Sequence, residues 1–166
     1  MLDTIDVVTI LLGIYIMAHG GIHLIFLGYF KDEKTNVYTG WSRQSWLLGK
    51  IMSDEMVKIT GFVTWIIIAL FFGISGLIIL SILPFNEYLN VLVISVSILA
   101  IIAYIVFFNG FGPTPYHWIL GVVINGLIII FYSFFLSEMF MLLVLLILVW
   151  AYGMVFHTKV INAIKS

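Results

Sequence analysis

From Tyr88 to Ser137 the chain contains no Asp, Glu, Lys or Arg, so this stretch offers a folded surface almost nothing to present to water. It is also too long for one membrane crossing, because about 20 residues of helix span ~30 Å of hydrocarbon. Asn109-Gly-Phe-Gly-Pro-Thr-Pro115 interrupts it, and glycine and proline at that density break a helix. The break predicts two spans, 89–108 and 116–136. Reading the other uncharged runs between ionisable residues predicts spans at 7–30, 59–83 and 139–156, with Pro84 closing the second because proline cannot continue a helix easily. All of residues 1–166 then form a single transmembrane helical domain. Only 9% of residues are charged and 63% are hydrophobic, against roughly a quarter charged in an ordinary globular domain.

The fold class expected is an all-α integral membrane protein, a bundle of about five transmembrane helices. Lys31, Lys34, Arg43, Lys50 and Lys58 share the first loop, and Lys159 and Lys165 share the tail. Basic residues in short segments stay in the cytoplasm, so an odd number of crossings is required to put both on one side. The other side then receives Asp3, Asp6, Glu87 and Glu138. The N-terminus is expected outside, the C-terminus inside, and the location is the cell membrane. Asp3 and Asp6 also argue against a cleaved signal peptide, whose first residues are basic.

Composition removes several functions. The net charge of −1 gives no general attraction to nucleic acid. There are no cysteines, which excludes disulfides, iron–sulfur ligation, C-x-x-C-H haem attachment and thiol catalysis. No lysine lies within a predicted span to form a retinal Schiff base. Metalloprotease and serine-hydrolase motifs are lacking, as are the buried charge or broken helices that ion-coupled transport needs.

The first predicted helix carries the most informative polar residues. His19 and His23 are spaced one turn apart on one face, and Tyr15 extends the stripe. Gly13, Gly20, Gly21 and Gly28 fall mostly on the other side, where small residues permit close helix approach. His117 and His157 lie at the cytoplasmic ends of the predicted fourth and fifth helices, so all four histidines fall in the inner half. Imidazoles ligate zinc, copper and iron, so His19, His23 and His117 are a candidate site for a divalent metal or haem b. Two histidines on one face cannot both be axial ligands of one haem, and each would need a partner such as His117. The more economical reading is packing and hydrogen bonding without any cofactor; a proton or small-solute path is a third. Asn125, mid-way along the fourth helix, is expected to bridge helices. Asn109 is expected to cap the third, and Thr60 and Thr64 to bond their own backbone. Gly73 and Gly76 are expected to mark a close-packing site.

In the first loop, Trp41, Leu47, Leu48, Ile51 and Met52 share one arc of a helical wheel while Arg43 and Lys50 point away. That pattern predicts a short interfacial helix, with Trp41 and Trp46 at headgroup level; a connector packed against the bundle is the alternative. Ala18-His-Gly-Gly-Ile-His23 and Gly40-Trp-Ser-Arg-Gln-Ser-Trp-Leu-Leu48 together resemble small prokaryotic polytopic membrane proteins of unknown activity that share H-G-x-x-H and G-W-S-x-x-S-W-L-L motifs. The resemblance implies a multi-spanning fold and draws attention to Trp41, Ser42, Arg43, Ser45 and Trp46, but implies no reaction. The expected function is accessory or structural, or the binding of lipid, quinone or a partner subunit, including a second copy of the chain. The alternatives are a histidine-ligated metal or haem protein with a redox or catalytic role, and a proton or solute pathway.

Overall fold

The computed structural model describes residues 7–31, 38–111, 116–134, 143–149 and 151–152. It is mostly helical and has five helices: α1 (Val7–Leu24), α2 (Asp54–Ile79), α3 (Leu89–Val106), α4 (Tyr116–Phe134), and α5, described over 143–149. Three stretches are long and apolar enough to cross a membrane: Val7–Leu27, Asp54–Ile79 and Asn86–Val106. The apolar helix Trp118–Phe134 is shorter. Val63, Leu70, Val91 and Ile102 are exposed, whereas His19, His23, Ser75, Ser97 and Asn125 are buried. Such an inside-out distribution matches a hydrocarbon solvent, in which polar groups must find their partners internally.

In the bundle α1 packs on α2, α2 on α3, and α3 on α4. Glycines set the first of these contacts. A methyl group on Gly13 would come within 3.2 Å of the Gly76 carbonyl, and one on Gly76 within 2.7 Å of the Gly13 carbonyl. Gly20 is similarly pressed against Ala69 and Phe72. Small residues at facing positions let the two backbones touch, which is how helices associate where no hydrophobic gain is on offer. A Cβ added to Gly21 or Gly73 would enter open space, while the Gly73 backbone N lies 3.4 Å from a Cβ built on Gly20, so of the Gly73–Gly76 pair Gly76 makes the tighter contact.

Element ends differ from the sequence expectation. The first helix stops at Leu24 and turns through a 3-10 segment, Ile25–Leu27, into β1 (Tyr29–Lys31). This strand pairs antiparallel with β2 (Tyr38–Gly40), Tyr29 facing Gly40. Gly40 has φ 98° and lies so close to the Gly28 carbonyl that a Cβ could not be added. The second helix starts at Asp54, with Ser53 accepting from the Met56 N–H at 3.4 Å, so Asp54 and Glu55 lie in its first turn, where they complement the helix dipole. It ends at Ile79 rather than running to Pro84. Ser81 adopts φ 57° and the Ile82 N–H bonds back to the Leu77 carbonyl at 2.9 Å, a helix stop of the Schellman kind.

The interfacial helix expected over Trp41–Met52 does not form. Arg43 has φ 67° and the only helical turn is a 3-10 segment, Leu48–Lys50. Trp41 is fully buried instead of lying at headgroup level. Its ring fills a hole over Gly61 and Gly110, against Phe107 with ring centroids 4.9 Å apart. The wheel reading failed because burying Trp41 gains more than an amphipathic turn would, and the backbone between Trp41 and Trp46 pairs with the end of α3. The alternative, a connector packed on the bundle, describes the segment.

Candidate functional site

His19 and His23 project from the face of α1 that meets α2, with the Phe72 ring 4.9 and 5.7 Å from them. Histidines and glycines therefore flank one contact rather than opposite sides of the helix. The His23 Nδ1 lies 2.9 Å from the His19 carbonyl. A carbonyl only accepts, so Nδ1 carries the hydrogen and Nε2 presents its lone pair. The Tyr104 hydroxyl of α3 stands 3.4 Å from that nitrogen and donates to it. Tyr104 lies against Gly121 of α4, where a Cβ would run into the ring and come within 2.7 Å of the hydroxyl. The Gly121 carbonyl in turn accepts from Asn125 Nδ2 at 2.7 Å.

The sequence of contacts then returns to α1, since the Asn125 side chain faces the His19 imidazole. Neither His19 Nε2 nor Asn125 Oδ1 completes a hydrogen bond among the described residues. The result is a polar circuit through His19, His23, Tyr104, Gly121 and Asn125, its last contact the one between the Asn125 amide and the His19 imidazole. Asn125 thus bonds within its own helix and turns its oxygen toward α1. His23 sits in an aromatic box whose other walls are Trp65 and Phe26, each 6.0 Å from its ring, and Tyr15 stacks on His19 at 6.3 Å.

His19 also lines an apolar groove between α1, α4 and α5. Its volume is about 520 Å³, and Leu11, Ile14, Ala18, Ile22, Ile124, Leu143 and Ile147 line it beside Tyr15 and His19. Pockets that hold small apolar ligands are of this size, roughly 300–1,000 Å³.

As a metal centre the described arrangement offers little. The two imidazoles are edge to face with centroids 5.0 Å apart, and both nitrogens of His23 are engaged. The His19 imidazole in turn faces the Asn125 amide. His117 opens α4 two turns before Asn125, but its side chain lies outside the described residues, as does His157 altogether. Among the described residues no three His, Cys, Asp or Glu come together.

The second motif performs a structural task. The last carbonyls of a helix have no partner within it, and here the loop supplies them. Ser45 Oγ donates to the Val106 carbonyl at 2.7 Å and Trp46 Nε1 to the Ile105 carbonyl at 2.8 Å. The Ser42 N–H donates to Gly110 at 2.7 Å, and the Trp46 N–H to Asn109 Oδ1 at 2.8 Å. Asn109 therefore anchors the loop rather than capping α3. Thr64 donates to the Thr60 carbonyl at 2.7 Å, as expected. Arg43 and Lys58 both approach the Phe62 ring, at 5.6 and 5.8 Å. Rings in contact join brace to site: Trp41 meets Phe107 edge to face, Phe107 meets Trp65 at 5.8 Å, and Trp65 stacks on His23.

Sequence reasoning missed Tyr104, Gly121, Trp65 and Phe72. A lone tyrosine in the last turn of α3 was the available signal for Tyr104; nothing in the sequence pairs it with Gly121. Comparison of the chain with family models, curated proteins and solved structures finds no match in any of the three.

Proposed function

We propose that this is a multi-pass protein of the cell membrane, with five crossings, the N-terminus outside and the C-terminus in the cytoplasm. It binds an apolar molecule of the lipid or quinone kind in the groove between α1, α4 and α5, and acts by holding that molecule rather than by converting it. One observation carries the binding part: an apolar groove of about 520 Å³ ends at a buried, unpartnered imidazole edge. Polar residues facing a cavity inside a membrane bundle usually mark a ligand or its path, and apolar walls with a few convergent polar groups are the usual form of a small-molecule site. Retention by the purified protein tests it. Organic extraction after preparation in mild detergent is expected to yield an apolar molecule in stoichiometric amount. Ala18 lines the groove and is exposed, so Ala18→Phe should fill the space and lower that yield about tenfold without lowering thermal stability. Equal yields from both proteins would defeat the reading.

The crossing number rests on the basic loop and basic tail sharing a compartment. Tags at the two chain ends are expected to be accessible from opposite sides of intact cells. Both ends answering from one side would require an even number of crossings.

A further inference from the structure

We infer that a polar pocket at the start of α2 binds the headgroup of a phosphatidylethanolamine lipid, with its phosphate on Arg43 and Lys58 and its ammonium on Asp54 and Glu55. The pocket is separate from the groove between α1, α4 and α5, and the inference rests only on the reading of the chain as a membrane protein.

The pocket has a volume of about 430 Å³ and is lined by Ser42, Arg43, Gln44, Asp54, Glu55 and Lys58. Arg43 and Lys58 come from different segments, yet both are held against one ring, 5.6 and 5.8 Å from the Phe62 centroid. Like charges brought together repel, and an anion shared by the two offsets that repulsion. Arg43 also has φ 67°, a conformation that glycine adopts far more readily than arginine. Bonds on either side impose it, since the Ser42 N–H donates to the Gly110 carbonyl and Trp41 Nε1 to the Gln44 carbonyl. Glycine would serve such a turn better, so what an arginine adds is its guanidinium, which takes phosphate oxygens two at a time.

Asp54 and Glu55 balance the two cations, so the pocket suits a zwitterion. A phosphatidylglycerol headgroup would bring its anion beside two carboxylates with no cation to match them. A phosphatidylcholine ammonium has no N–H to donate to them. The hydrocarbon part of the lipid has a place as well. Glu55 heads a stripe of α2 that continues, turn by turn, through Ile59, Val63, Ile66 and Leu70, all four exposed. An acyl chain attached to a headgroup in the pocket lies along that stripe.

The test is titration of the delipidated protein in detergent with phosphatidylethanolamine, phosphatidylglycerol and phosphatidylcholine of identical acyl chains, read by native mass spectrometry. Phosphatidylethanolamine is expected to bind about fivefold more tightly than either, the effect of one partly exposed ion pair. Arg43→Asn keeps a residue that tolerates positive φ, so it should abolish the preference without lowering the melting temperature. Asp54→Asn with Glu55→Gln should raise phosphatidylglycerol binding to the level of phosphatidylethanolamine. Ala18→Phe should leave the preference intact; its loss there would put the lipid in the groove and overturn the assignment to this pocket. Soluble glycerophosphoethanolamine should displace the lipid only weakly, and binding as tight as that of the lipid would show a soluble phosphodiester to be the ligand instead. If the three lipids bind equally, or Arg43→Asn changes nothing, the pocket is a set of surface charges and this inference alone falls. Release of the protein from cell membranes by alkaline carbonate would overturn the membrane reading and this inference with it.

Discussion

Gly61→Ala is expected to destabilise the protein by about 1–3 kcal/mol, the range for overpacking a filled interior, and Trp41→Ala by about 3–5 kcal/mol. Both numbers follow from one contact. The Trp41 ring occupies the space a side chain at 61 would need, so a methyl there must displace a fully buried indole. That indole is held at its other end, where Nε1 donates to the Gln44 carbonyl at 2.8 Å. Displacing it pulls on the loop whose Ser45 and Trp46 serve the end of α3. The two changes should therefore not add: Gly61→Ala in a Trp41→Phe background should cost at least ~1 kcal/mol less than in the wild type, as for residues in direct contact. Gly73→Ala is the control, since it lies on the same helix with open space around it; alanine's better helix propensity should leave it neutral or slightly stabilising. Thermal or denaturant unfolding in detergent reads all five variants, Trp41→Phe alone included. Equal midpoints for Gly61→Ala and Gly73→Ala would show that Trp41 does not occupy that hole.

Gly76→Val should be at least as disruptive, on the order of 3 kcal/mol, and should also empty the groove. At this position the obstacle is backbone. The first added carbon would meet the Gly13 carbonyl at 2.7 Å, with the Met17 side chain closer still. A side chain can swing aside but a helix backbone cannot, so α1 as a whole must move outward. His19 and His23 ride on that helix against Phe72, and Tyr104 would lose the imidazole to which it donates. Apolar-molecule retention should fall together with stability. Gly21→Val carries the same added bulk into open space on α1 and should leave the imidazoles in place; a wild-type melting profile for Gly76→Val would contradict the packing described.

The two sequence motifs turn out to have different jobs. His19 and His23 build a polar circuit whose members lie on three helices. The Gly40–Leu48 segment closes the end of α3, giving the Ile105 and Val106 carbonyls partners that the helix itself cannot provide. Trp41, Phe107 and Trp65 form the solid connection between them, so damage to the brace is expected to reach the histidines through packed rings rather than through charge.

The uncharged run and its Asn109–Pro115 break were enough to place both ends of α3 and the start of α4 within two residues, because glycine and proline stop a helix wherever they fall. The i, i+4 spacing likewise put Tyr15, His19 and His23 on one stripe, since helix periodicity is a local property. What sequence could not show is which residues from other helices stand opposite that stripe. The partners of His23 and Asn125 were decided by Tyr104 and Gly121, because whether a tyrosine fits depends on a missing side chain one helix away. Trp41 was misjudged for the same reason. Its pattern in the chain was amphipathic, and only the hole left by Gly61 and Gly110 drew it inside. Periodicity records which face a helix turns inward; the shape of what waits there exists only once the helices have met.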